Sequence, residues 1–346
     1  MKKTIYILLS IAAVLGCTKT GVEYDDAQIG EITVSPVAGG LTKAAVTDGV
    51  FPNNNHLGVF AYYSGAVNAG VVSDYSTFST DYLANAEFAH KDGITWSGIN
   101  PYYWPKTGSL VFAGYSLAAP SGSNTNSDAN GIVAYSLESD CLEIKGFTQS
   151  EKTDKTYDLL YFGRTSSSYS NKSSDVSVAL SHAMSWVEIQ VKAGPGALVS
   201  GQEWIVTSME FQDVSTKGDF KYTGASGGQV AKAEWANQTD EKNMLVYTHD
   251  KTSGTNLTAA FQTLENTVKG TLVIPQTPKV LNVKVEYKSP AGDDIVEVVP
   301  IKLWQFTDRW EAGKKYTYQL TFSPQEILVA PKVETWPEPT NTTPTI

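Results

Sequence analysis

Few residues in this chain are equipped for acid–base or metal chemistry, and their spacing argues against it. There are four histidines, His56, His90, His182 and His249. None stands at a spacing from another that builds a zinc site. Ser181 and His182 are adjacent, and neighbours on a strand point to opposite faces, so they cannot form a nucleophile–base pair. His182 reads as a buried or capping histidine. Asp213, Asp219 and the Asp293-Asp294 pair are the carboxylates that invite an acid–base reading. Ala291-Gly292-Asp293-Asp294 reads instead as a solvated hairpin turn. Residues Ser121–Asn130 carry Asn and Asp without a recognised calcium-ligand pattern. A phosphate-binding glycine loop is absent. The sequence therefore predicts no enzyme, no metal and no cofactor.

The thiols are more informative. Lys2 and Lys3 precede an apolar run, Ile5–Leu15, long enough for a signal-peptide core and too short to span a bilayer. Val14-Leu15-Gly16-Cys17 then resembles the lipobox of bacterial lipoprotein precursors. The resemblance implies export, removal of the leader and lipidation of Cys17. More than one acyl chain gives stable membrane attachment. With Cys17 lipidated, Cys141 is left alone, so no intramolecular disulfide is expected. The surrounding Leu137–Ile144 alternates like a strand, which makes Cys141 a small buried apolar residue rather than a catalytic thiol.

Those residues must be carried by a largely β framework. The chain has 346 residues, 41% of them hydrophobic, with 18 Tyr and 8 Trp. That is enough apolar material for two cores of ordinary size. A net charge of -10 excludes nucleic acid as a partner, since phosphate binding needs a basic face. Residues 18–30 read as a polar tether. Ile32–Val37 alternates as a first strand, and Pro36 predicts an edge position for it. His56–Tyr63 is apolar on both faces and predicts a central strand. Residues Tyr75–Glu87 predict a short helical turn. Arg164–Ser174 is serine-rich and reads as a linker. Val176–Ala183 opens the second half. Further strands are expected at Trp204–Phe211, Phe220–Tyr222, Gly270–Ile274, Val280–Tyr287, Ile295–Leu303, Lys315–Phe322 and Glu326–Val329. Many short strands joined by polar turns mean an all-β sandwich or barrel, here two in tandem. The domains are expected at 31–174 and 175–346, after a leader at 1–17.

Several blocks, in this order, resemble the fimbrillin family, the Mfa-like subunits of type V pili in Gram-negative anaerobes. They are the lipobox; Leu57-Gly58-Val59-Phe60-Ala61-Tyr62-Tyr63; Pro101-Tyr102-Tyr103-Trp104-Pro105 leading into Leu110–Ser116; Asp158-Leu159-Leu160-Tyr161; Leu180-Ser181-His182-Ala183-Met184; and Trp310–Tyr318. The resemblance implies two transthyretin-like Greek-key β-sandwich domains and no catalysis. It also implies assembly by donor-strand exchange at the outer-membrane surface. A protease cuts after the first strand, strand and lipid leave, and the carboxy-terminal segment of the next subunit fills the groove. Such strand addition is head-to-tail and builds an open filament. The implied partners are other fimbrial subunits, the outer membrane through lipid, a processing protease, and host or bacterial surface ligands met in adhesion.

Here the leaving strand would be Ile32–Val37. The donor would be the tail, with Ile327, Val329, Val333 and Trp336 apolar and Pro331 between them. The alternative is that this tail is the last edge strand of its own domain. The cleavage step departs from the family pattern. Family members are typically cut after arginine, and no arginine precedes Arg164. Lys43 occupies the matching place, so either Lys43-Ala44 is cut or the subunit stays lipid-anchored as a base. A reading of another class also stands: a surface glycan-binding lipoprotein whose Trp96, Tyr102, Tyr103 and Trp104, or Trp304 and Trp310, form sugar platforms.

Overall fold

The computed structural model describes residues 30–37, 54–65, 75–78, 80–92, 95–118, 131–152, 156–168, 175–197, 203–225, 230–264, 270–289, 291–324 and 326–336. Cys17, Lys43, Ala44, the 18–29 part of the tether and the Ser121–Asn130 loop lie outside the described residues. Among the described residues the architecture is all-β, with strands in three sheets and a single 3-10 turn at Leu303–Gln305.

The first sheet contains β1 (Thr33–Val37), β2 (Leu57–Ser64), β3 (Thr80–Asp92), β4 (Thr95–Gly98), β5 (Ser109–Ala118), β8 (Asp158–Ser168), β9 (Val176–Ala179) and β10 (Ser181–His182). Its order is β10-β8-β5-β2-β3-β4-β1-β9. The two ends of this order are consecutive pieces of one stretch, Val176–His182. That stretch therefore closes the sheet on itself around a core that includes Leu57, Val59, Phe88, Trp96, Trp104, Phe112, Phe162, Val178 and Leu180. Apolar side chains at alternate places explain the inner face of each strand. The expected central strand is β2, flanked by β3 and β5.

The third sheet holds β6 (Ile132–Ser136), β7 (Cys141–Thr148), β12 (Trp204–Thr223), β13 (Lys232–Thr248), β14 (Thr255–Asn256), β17 (Val280–Lys288) and β18 (Asp294–Lys302). The second holds β11 (Ser185–Ala193), β15 (Gln262–Thr263), β16 (Thr271–Val273), β19 (Lys314–Phe322) and β20 (Ile327–Thr335). β11 and β19 pair parallel, and β20 pairs antiparallel with β19 as the edge strand. These two sheets enclose a core of Val187, Ile189, Phe211, Leu281, Val283, Trp310, Tyr318 and Phe322, among others. The far half of β12 pairs with β7, so the β6–β7 hairpin joins the third sheet. A third core then joins the outer face of β2, β5 and β8 to that hairpin, to Phe220 and Trp235, and to Trp186 and Trp336.

Several sequence expectations are corrected. β1 is not an edge strand: β4 lies on one side and β9 on the other. Pro36 is tolerated because the β4 ladder covers only Thr33 and Val34 and ends before it. The helical turn expected within Tyr75–Glu87 is mostly β3, with one turn at Ser76-Thr77. Leu137–Asp140 is a turn, and β7 begins at Cys141, which is buried as expected. Arg164–Ser168, expected in a linker, continues β8. Val176–His182 completes the first sheet instead of opening a second one. Trp204–Phe211 and Phe220–Tyr222 are one continuous strand. The last strand runs through Pro331 to Thr335 rather than stopping at Val329, since an edge strand has a free side for the missing N–H.

Candidate functional site

Two strands near the ends of the chain form the candidate site. The first, β1, is a built-in seat. The inner residues Ile32 and Val34 are fully buried, and Pro36 is buried after them. Backbone bonds hold its approach: Ile32 N donates to Tyr102 O at 2.7 Å, and Trp104 N to Gly30 O at 3.1 Å. Lys91 Nζ lies 2.5 Å from the Glu31 carboxylate. Thr33 and Ser35 are two apart, so both hydroxyls leave the opposite face. They donate to Asp175, at 2.5 Å and 2.6 Å, and Thr95 Oγ1 of β4 adds a third bond at 2.9 Å. Burial alone would raise the Asp175 carboxyl. The hydrogen bonds from Ser35, Thr33 and Thr95 outweigh it and hold the group below its ordinary 3.8. One carboxylate thus clamps β1 to its neighbours on both sides.

The tail is held differently. Ile327 and Val329 are half-buried against the β11–β19 core, while Val333 is 53% exposed. Residues 330–335 are all exposed. Trp336 then turns inward and is 1% exposed. Its N–H donates to Gly313 O at 2.8 Å, and Gly313 takes φ +66, a conformation that suits glycine. The indole stacks on His182, whose Nδ1 lies 2.8 Å from Asp158 Oδ2. A cleft of about 650 Å³ opens beside this anchor, lined by Tyr161, Lys232, Glu234, Arg309, Lys314 and Thr335 among others. The four expected donor residues therefore do not share one surface. Two sit in one core, Trp336 in another, and Val333 faces solvent.

Sequence reasoning read His182 as buried or capping, and it is buried; it also found β1 and the tail. It missed Asp175 as a clamp and Asp158 as the partner of His182. The Thr33/Ser35 spacing was the available signal for the clamp, but its acceptor lies about 140 residues away along the chain. Ser181 and His182 do face apart, the first half-buried and the second buried. The rings suggested as sugar platforms do not form one. Trp96, Trp104 and Trp310 are buried, Tyr102 stacks on Phe88, and Tyr103 and Trp304 are exposed far apart in the chain.

A family model described as fimbrillin-like matches residues 42–336. No curated protein matches the chain. Among solved structures, a fimbrial protein from Bacteroides vulgatus is similar over 89% of this chain and 99% of its own, with TM-score 0.60 and 16% identity. At that identity the likeness shows the fold. A fimbrial assembly protein from Parabacteroides distasonis is similar over 88% and 98%, at TM-score 0.39 and 12% identity, too low to add to the argument.

Proposed function

Because the chain belongs to the fimbrillin-like family, we propose that it is a structural subunit of a cell-surface fimbria, joined to its neighbours by donor-strand exchange. The observation that carries this reading is the position of β1. It is the one strand that links β4 to β9, so its departure opens the closed sheet along a line with unpaired backbone on both sides. Ile32 and Val34 would leave a groove lined by apolar side chains, a ready receptor for an added strand. In this reading Cys17 carries lipid for export to the outer membrane. Cleavage at Lys43-Ala44 by a lysine-accepting protease then releases β1 with the lipid. Ile327, Val329, Val333 and Trp336 mark the donor segment, which must first leave β19. Adhesion would lie in surface loops of the assembled filament.

The test is to cut the lipidated full chain at Lys43 and follow polymer formation. SDS-resistant ladders that disappear when residues after Phe322 are deleted support the reading. Mass spectrometry of the native surface protein reads the processing step. A mature terminus at lipidated Cys17, together with no polymer after cutting, would sink it.

A further inference from the structure

β1 and β20 begin with nearly the same letters. Glu31-Ile32-Thr33-Val34-Ser35-Pro36 leads through the first, and Glu326-Ile327-Leu328-Val329-Ala330-Pro331 through the second. Glu, Ile, Val and Pro recur at the same spacing, with a small residue before each proline. The shared letters are the ones the β1 seat uses. Glu31 meets Lys91, Ile32 and Val34 fill the inner face, and Pro36 falls where the β4 ladder has ended. Few places in a sheet accept proline, so its recurrence at the same step is a demanding match. In its own seat β20 uses this pattern poorly. Glu326 and Pro331 are exposed, and Ile327 and Val329 are only half-buried.

We infer that β20 of a second copy takes the β1 seat in one register, Glu326, Ile327, Val329 and Pro331 standing where Glu31, Ile32, Val34 and Pro36 stood, and that Asp175 tells the two strands apart. The inference rests on the strand-exchange reading and adds its register and its discriminating residue. The letters differ at the two intervening positions, where Thr33 and Ser35 become Leu328 and Ala330. Both lost hydroxyls are donors to Asp175. A seated tail leaves that carboxylate with Thr95 as its one hydroxyl donor among the described residues and forfeits two charge-assisted bonds. In return Leu328, 54% exposed in its own place, covers apolar area where Thr33 is half-buried. The resident strand is favoured at Asp175, so an uncut subunit resists invasion by a neighbour's tail.

Ser35 lies opposite Ser177 of β9. In the inferred register Ala330 of one copy lies opposite Ser177 of the next. The experiment uses the full chain with Cys17→Ser and Cys141→Ser and a specific protease site placed at Lys43. After cutting, Ala330→Cys with Ser177→Cys is expected to give disulfide-linked oligomers, since Cα atoms across a ladder are within bridging distance. Leu328→Cys or Lys332→Cys with Ser177→Cys should not link. Linking through either of those, or polymer without the Ala330 link, overturns the register and leaves strand exchange standing. The absence of both link and polymer overturns the exchange reading, and this inference with it. Leu328→Thr with Ala330→Ser restores both donors and should slow subunit dissociation about tenfold or more. An unchanged dissociation rate overturns the role given to Asp175.

Discussion

The indole of Trp336 lies face to face on the imidazole of His182, with ring centroids 3.7 Å apart and 13° between planes. His182 is itself fixed by Asp158 at the start of β8. The end of the tail is therefore tied to the first sheet, although among the described residues the rest of β20 pairs only with β19. Between Val329 and Trp336 the strand is exposed. Side-chain hold on the tail is concentrated at its two ends, and the far end is one buried ring.

Trp336→Ala removes that ring and leaves a void against His182 and Trp186. A buried aromatic truncated to Ala costs about 3–5 kcal/mol. The tail should become the first site of limited proteolysis, and the melting temperature should fall. Trp336→Phe keeps a stacking ring and should lose less. Unchanged melting and unchanged tail protection in Trp336→Ala would show that β19 pairing alone holds the strand.

Asp175 makes the β1 clamp pH-dependent. Its carboxyl is held below 3.8 in the folded chain. A group depressed in this way contributes stability that is present above its unfolded value and is lost as pH falls through the folded one. Stability should fall from about pH 4 downward more steeply in the native chain than in Asp175→Asn. Denaturant unfolding at pH 6 and pH 3 reads the difference. Equal slopes for the two chains would remove Asp175 from the clamp.

Glu188 on β11 predicts a second pH signature. Lys315 Nζ lies 2.7 Å from it, and Gln190 and Thr263 donate at 2.9 Å each. Burial pushes its carboxyl up, but the Lys315 contact and the other two donors outweigh this and hold it below 4.5. Lys315 also lies 4.1 Å from the Trp186 ring centroid. Lys315→Met keeps the apolar stem and removes the charge. The expected cost is about 1–3 kcal/mol near pH 7. The gap from the native chain should close as pH falls below about 4.5, because protonated Glu188 no longer needs the cation. A gap independent of pH would assign the effect to packing on Trp186.

What was legible in the letters is local. Leu57, Val59 and Ala61 against Phe60 and Tyr62 mark β2 as covered on both faces, and it is. β13 was not legible. Lys232–Thr248 buries few side chains and owes its form to pairing along β12, which periodicity cannot show. Pro36 misled because an interior strand can hold proline where one ladder has stopped. The docking of the β6–β7 hairpin on β12, the Asp175 clamp and the Trp336 anchor all join residues distant in sequence. Spacing constrains which face a side chain takes, but not what meets it.

Arg164 carries the last prediction, because the leading stretch of the chain has no arginine before it. Its guanidinium lies 4.1 Å from the centroid of Tyr75. It donates to the carbonyls of Leu137 and of Glu138, and its Nε is 3.7 Å from Asp140. The two charged side chains are 12% and 7% exposed. Removing one partner of a buried pair leaves the other uncompensated, at a cost of about 3–5 kcal/mol. Arg164→Met should therefore loosen the β6–β7 turn strongly. Arg164→Lys should restore little, since an ammonium lacks the planar fork that reaches two carbonyls at once. The same burial shields the following peptide bond, which lies inside β8. An arginine-specific protease should leave Arg164 uncut in the native chain and cut there after unfolding, as read by intact mass. Native cutting at Arg164, or full rescue by lysine, would show that this side chain is not part of the bracket between β8 and the hairpin.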